Sequence, residues 1–378
     1  MLRRKIIFFI ESLSGGGAEK VLTIILHHID YLKYDITLLT LTNGGILEKD
    51  LDLKKVHYKT IISTKFSKIG IFWNKVLYNL FYKILPLSLL CRWFIPKNQD
   101  IYVAFVEGYS TKLLSFLPRT DKKIAWVHID LKNYPWTQNK GIYKNLEEEK
   151  ICYEKYNKIV CVSLSVEKVM KEYFQLSNVI TIYNPIDSNG IIQMALEQSN
   201  IKISNGFNIV SVGRLVNQKG YDLLIPMISH MKKEGINANL YLLGEGCERA
   251  QLESLIEKNH ISDFVHLLGY QKNPYSIMKD MDLFVCSSRS EGYSLVIAEA
   301  IVLGLPVVSM NCSGPNELLD GNKYGQLCDT YDELYQSIKK AVIDKLYLED
   351  LKNRSKARKD FFEVRTILNQ INQLFDEV

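Results

Sequence analysis

Short, almost uninterrupted apolar runs alternate with stretches of helical period, and midway along the chain the series begins again. "KIIFFIE" (5–11), "DITLLTL" (35–41), "DIYVAFV" (100–106), "KIAWVHI" (123–129) and "KIVCVS" (158–163) read as strands, with "AEKVLTIILHHI" (18–29) as a helix after the first. Runs that are apolar on both faces belong to a parallel sheet covered on both sides. The β-α-β-α order implies right-handed crossovers and a doubly wound domain. The second series is "FNIVSVG" (207–213), "ANLYLLG" (238–244), "FVHLLGY" (264–270), "DLFVCSS" (282–288) and "PVVSMN" (306–311). The polar stretch 183–206 separates the two, and Asn184-Pro185 near its start disfavours helix at Asn184. The expected architecture is therefore α/β, two Rossmann-like domains over 1–185 and 205–350, with C-terminal helices over 351–378 that can cross back to the first. A length of 378 residues suits two domains. In such sheets ligands bind beyond the carboxyl ends of the strands, and with two domains the natural site is the cleft where they face.

Composition narrows the function. A net charge of +5 is too mild to argue for nucleic acid. The seven cysteines show no CxxC and no zinc-type spacing with histidine, and no metal site is expected. Asp280-x-Asp282 resembles a metal-binding DxD, but Asp282 precedes a strand at its amino end and reads as a turn. At the start of the chain the run "IIFFI" is short and ends at Glu11, so it reads as a first strand and not as a leader. No stretch of about 20 uncharged apolar residues suggests a membrane span. A reduced, cytoplasmic setting is the expectation.

Four stretches carry chemistry. "SGGGAEK" (14–20) joins the first strand to the first helix; its glycines allow close backbone approach and the helix start favours an anion, although a plain tight turn is an alternative. It is not a dinucleotide fingerprint, because Lys20 stands where the third glycine would be. "GRLVNQKGYD" (213–222) follows the first strand of the second series. There Arg214 and Lys219 could neutralise a diphosphate, or form an ordinary solvated basic loop. "SRSEGYSLVIAEA" (288–300) holds Glu291 in a turn and Glu299 two turns into the next helix, with the amides of Gly292, Tyr293, Ser294 and Leu295 around the helix start. A carboxylate accepts two hydroxyls, which suits a sugar ring, but Glu299 alone also reads as a helix-surface charge. His128 in "WVHIDL" lies just after a strand, where a structural and a functional role are equally open.

Taken in order, the "GGGAE" loop, the mid-chain histidine, "GRL…QKG", "GEG" (244–246) and E-x7-E resemble the GT4 family of retaining glycosyltransferases, which have the GT-B fold. The resemblance runs over essentially the whole chain. It implies that Arg214 and Lys219 hold the donor diphosphate, Glu299 the ribose and Glu291 the transferred sugar. Gly16 and Gly17 would approach donor phosphate or acceptor, and His128 would sit beside the sugar. The base would lie near Gly269–Lys272, Tyr270 among them, with Gly292, Tyr293, Ser294 and Leu295 around the phosphates. It further implies a nucleotide-sugar donor, with a UDP-sugar expected, a saccharide acceptor, front-face attack, no cofactor and no metal. A nucleotide-sugar 2-epimerase of the same fold and a non-catalytic partner subunit are the rivals.

Residues 61–99 hold Lys65, Lys68, Lys75, Lys83, Arg92 and Lys97 and no acidic residue, interleaved with Phe66, Phe72, Trp73, Tyr78, Phe81, Tyr82, Trp93 and Phe94. A core helix explains part of this and a protein partner is a rival. The one-sided charge suits an anionic membrane surface. It predicts peripheral association with the inner face of the cell membrane and a lipid-linked saccharide acceptor.

Overall fold

The computed structural model describes residues 3–62 and 85–378, the side chain of Asp360 apart. Lys65, Lys68, Lys75, Lys83 and the aromatics Phe66 to Tyr82 of the basic segment lie outside the described residues.

The chain forms two compact units, Met1–Pro185 with Arg365–Val378, and Ile186–Val364. The first is built on a seven-stranded sheet of β1 (Arg4–Ile10), β2 (Tyr34–Thr42), β3 (Val56–Ile62), β4 (Ile101–Ala104), β5 (Lys123–Val127), β6 (Lys158–Cys161) and β7 (Val179–Thr181). The second holds β8 (Phe207–Val212), β9 (Ala238–Leu243), β10 (Val265–Gly269), β11 (Leu283–Cys286), β12 (Val307–Met310) and β13 (Gln326–Cys328). The sheet orders are β3-β2-β1-β4-β5-β6-β7 and β10-β9-β8-β11-β12-β13. Each strand pair is parallel, as the double-sided hydrophobic runs require. β1 lies between β2 and β4, and β8 between β9 and β11. In each sheet the winding therefore reverses beside the first strand, leaving a crevice at the carboxyl ends there. Among the described residues, no helix is long and apolar enough to cross a membrane.

The cores follow from the sequence. Ile6, Ile7, Phe8 and Phe9 are fully buried, with alternate residues meeting opposite helical layers. The helix Val364–Glu377 buries Ile367, Leu368, Ile371, Leu374 and Phe375 on one face, a three-and-four spacing. Phe375 packs edge-on against Phe8 at 6.1 Å and Tyr34 at 5.6 Å between ring centroids, so this last helix completes the first unit. In the second unit Leu240 and Leu242 of β9 and Leu283 and Val285 of β11 pack with Leu224, Ile228 and Leu252 of the flanking helices.

Three strands escape the sequence reading. β3 is an edge strand whose outer residues alternate between solvent and interior, and β7 and β13 have three residues each. The polar stretch between the two series also contains a helix, Ser188–Ala195. Asp187 caps it by accepting from the Gly190 N–H at 2.9 Å, and Ile191 and Ala195 are buried. This helix packs against the helices Tyr275–Met278 and Leu295–Val302, so it belongs to the second unit.

Candidate functional site

In the second unit the crevice lies between β8 and β11, and each strand is followed by a loop bearing predicted site residues. The loop after β8 runs from Gly213 to Gly220 and enters the helix Tyr221–Lys233. Gly220 turns the chain with φ +67°, and a Cβ there would stand 2.2 Å from the carbonyl oxygen of Ser287, in the loop after β11. Glycine is thus required both by the backbone conformation and by the contact between the two loops. Gly244 and Gly246 serve the same end: a Cβ would meet Gly213 O at 1.9 Å and Leu215 O at 2.2 Å. The "GEG" stretch therefore packs its backbone under the basic loop.

Lys219 comes off this loop and places Nζ 2.6 Å from Oε1 of Glu291. Ser288 Oγ donates to the same carboxylate oxygen at 2.7 Å. Both charged side chains are largely shielded. Burial works against the ammonium, but Glu291 outweighs it and holds the Lys219 pKa above the ordinary lysine range. Arg214 is different: its guanidinium is exposed and has no ion-pair partner among the described residues.

Glu291, Gly292, Tyr293, Ser294 and Leu295 form the buried turn into the helix Leu295–Val302. The first amides of a helix lack carbonyl partners within it, which makes such a terminus favourable to an anion. Gly314 presses against this turn, with a virtual Cβ 2.9 Å from Tyr293 Cα, and its N–H donates to Glu291 O at 3.0 Å. Glu299 is buried on the helix, with 3% of its surface exposed. That excludes the alternative of a solvated surface charge. Tyr270 stands exposed after β10, which β9 separates from β8.

Several residues that sequence reasoning passed over join the two loops. Arg289 forks onto Asp222 with bonds of 2.9 and 2.8 Å. Its backbone N–H donates to Gln218 O at 2.8 Å, and Gln218 Nε2 donates to Ser290 O at 2.8 Å. Ser287 Oγ donates to Lys219 O at 2.8 Å. No local pattern announces these pairs, because the partners are about seventy positions apart.

In the first unit Gly16 is the N-cap of the helix Gly17–His28, and its N–H donates to Glu19. Gly15 has φ +104°. His128 follows β5, next to β4 in the sheet. Its Nε2 lies 2.8 Å from Phe105 O, a carbonyl that only accepts, so the proton is on Nε2 and Nδ1 is left as an acceptor. Burial pushes the imidazole down to about 4, and it is neutral near pH 7. The His128 backbone N–H donates at 2.9 Å to Glu107, which also accepts from Trp136 Nε1 at 3.3 Å. Glu107 lies three residues past β4, and burial raises it to about 7 despite these bonds. Its neighbour Gly108 has φ +97°, with Trp136 covering the place a Cβ would take. The signal for Glu107 is its position just beyond a buried strand. Asp282, whose spacing resembles a metal motif, instead accepts from Asn208 N at 2.8 Å at the amino end of the second sheet.

Known proteins resemble this chain in sequence and in fold. Residues 195–359 fit the family described as "Glycosyl transferases group 1". An uncharacterized glycosyltransferase of Methanocaldococcus jannaschii is 29% identical over 288 residues, 72% of this chain and 68% of that protein. The N-acetylgalactosamine-N,N'-diacetylbacillosaminyl-diphospho-undecaprenol 4-alpha-N-acetylgalactosaminyltransferase of Campylobacter jejuni is 28% identical over 369 residues, 95% of this chain and 96% of that enzyme. Among solved structures, Anabaena HepE in complex with UDP and glucose aligns over 100% of both chains with a TM-score of 0.78 at 18% identity. Sucrose-phosphate synthase from Thermosynechococcus elongatus aligns over 99% of both with a TM-score of 0.77 at 15% identity. These likenesses give the fold, α/β of the GT-B class, as the sequence led one to expect. Over residues 195–359 the chain is similar to the group 1 glycosyl transferases.

Proposed function

We propose that the protein transfers a hexose or N-acetylhexosamine from a UDP-sugar to a lipid-linked saccharide, with retention and without a metal, in the synthesis of a cell-surface polysaccharide or glycolipid. The observation that carries this reading is the Lys219–Glu291 pair, on the same loop as an Arg214 that has no ion-pair partner among the described residues, at the point where the winding of the second sheet reverses. A diphosphate there would meet Arg214, Lys219 and the helix start at Gly292–Leu295. Ser294 Oγ, buried without a partner among the described residues, adds a donor at the same turn. Glu291 is the contact for the transferred sugar and Glu299 for the ribose, with Tyr270 near the base. In the first unit, Gly16 and Gly17 are the proposed contacts for donor phosphate or acceptor, and the neutral His128 has Nδ1 to accept a sugar hydroxyl.

In this scheme the bond from anomeric carbon to phosphate breaks as positive charge grows on the sugar. Arg214, Lys219 and the helix amides stabilise the departing UDP, the largest contribution such a site offers. The acceptor hydroxyl attacks from the face the phosphate leaves, and the phosphate takes its proton. The Campylobacter relative's name supports a polyprenyl diphosphate-linked acceptor, and the HepE complex supports UDP.

The helix Leu87–Phe94 favours work at a membrane surface. It buries Leu90 and Cys91 and exposes Leu89, Trp93 and Phe94 beside Arg92. We place the protein on the cytoplasmic face of the cell membrane.

The test is hydrolysis of a panel of nucleotide sugars without acceptor, followed by product analysis with lipid-linked saccharides. A UDP-sugar should turn over, and Arg214→Ala and Lys219→Ala should each lower the rate about 100-fold or more. Full activity in both variants would refute the assignment. Activity lost to EDTA and restored by magnesium would refute the metal-free scheme.

A further inference from the structure

We infer that the Arg289–Asp222 pair is a positioning device that sets Lys219 against the donor diphosphate. The inference rests on the reading of Lys219 as a donor-phosphate residue. Lys219 sits at the end of a loop whose only regular structure is the three-residue turn Asn217–Lys219. A long side chain on such a loop needs its backbone held from outside, because conformational freedom is costly to remove at each encounter with ligand.

Ser287 Oγ donates to Lys219 O and Gln218 Nε2 to Ser290 O, and the remaining bonds between the two loops, the Lys219–Glu291 pair apart, come from Arg289. Both guanidinium Nη atoms grip the carboxylate of Asp222, in the first turn of the helix that begins just after Lys219. Nη1 also donates to the carbonyl of Asn217, and the Arg289 backbone N–H donates to Gln218 O at 2.8 Å. One residue therefore fastens Asn217 and Gln218 of the basic loop and, across Lys219, Asp222 in the first turn of the helix that follows. Arg289 is itself two positions before Glu291, the partner of Lys219. The fork thus fixes both members of the Lys219–Glu291 pair from one place. Two parallel charge-assisted bonds impose an orientation that a single ammonium cannot reproduce.

The experiment is titration of the full-length protein with UDP by calorimetry, in a double-mutant cycle. Arg289→Ala should weaken UDP binding about tenfold, and Arg289→Lys, which keeps the charge and loses the fork, should weaken it almost as much. In a Lys219→Ala background, Arg289→Ala should cost nothing further, because its effect runs through Lys219. Thermal unfolding of each variant guards against global loss of structure, and Arg289→Lys serves if Arg289→Ala does not fold. Wild-type affinity in both Arg289 variants would overturn the inference. So would losses that multiply in the double variant, since Arg289 would then act on its own. If Lys219→Ala binds UDP like the wild type, the donor-site reading fails first and the inference falls with it.

Discussion

Lys219 and Glu291, 72 positions apart, bring an ammonium and a carboxylate to 2.6 Å in the second unit. The pair is mostly out of water, so removing one partner strands the other. Glu291→Ala should cost about 3 kcal/mol of stability, and Lys219→Met in the same chain should restore most of it without restoring activity. Arg214→Ala, by contrast, should leave stability within about 0.5 kcal/mol, because that side chain is exposed and has no ion-pair partner among the described residues. Urea unfolding beside donor hydrolysis reads both effects.

Gly220 tests the contact between the two loops. Alanine there would hold φ at +67° against its preference and drive a methyl into Ser287 O. A loss of about 3 kcal/mol is expected, with UDP affinity falling even at temperatures where the variant remains folded. Gly141 also has positive φ, at +70°, but a Cβ there meets nothing within 4 Å. Gly141→Ala should cost only about 1 kcal/mol, the backbone part alone.

Glu107 and His128 make opposite contributions to the pH dependence of stability. Glu107 is raised from 4.5 to about 7 on folding, so its contribution is full below pH 4.5 and is lost as pH rises through 7. His128 is lowered from 6.5 to about 4, so its contribution is full above pH 6.5 and is lost as pH falls through 4. Between about pH 4.5 and 6.5 the two slopes offset one another. Glu107→Gln should expose the histidine slope, with stability rising as pH rises over that range. His128→Asn should expose the glutamate slope, with stability falling. Denaturant midpoints from pH 4.5 to 7.5 check the signs, and parallel curves for both variants would contradict them.

The helix Leu87–Phe94 gives the membrane proposal a local test. Wild-type protein should float with anionic phospholipid vesicles at low salt and release at high salt. Trp93→Glu should reduce that binding about tenfold or more, while unfolding stays unchanged because Trp93 is 62% exposed. Equal flotation of wild type and variant would remove this helix from the contact.

Much of the fold was legible because its strands are apolar on both faces, a pattern few other structures share. β1, with Ile6 to Ile10 all buried, announces itself, whereas β3 at the sheet edge alternates too irregularly to stand out. The helix Ser188–Ala195 was hidden by its polar neighbours, although Asp187 marks its start. At the site, Arg214, Lys219 and Glu291 could be named from motif and position at strand ends. That Lys219 meets Glu291 directly could not, and neither could the hold of Arg289 on Asp222. Such contacts depend on the order of strands in the sheet, where β11 lies beside β8 although two strands come between them in sequence. Glu107 escaped notice because a lone glutamate looks solvated until burial is known.

The helix Val364–Glu377 has a consequence for how the protein is made. Phe8 and Tyr34 are synthesised before the second unit, yet their partner Phe375 comes after the whole of it. At 5–20 residues per second the ribosome needs roughly 10 to 40 seconds to translate the 179 residues from Ile186 to Val364. During that time the nascent first unit has an uncovered aromatic patch around β1. A chaperone that shields apolar surface has its natural client there, and a message cut short before Phe375 yields a product that never closes that patch.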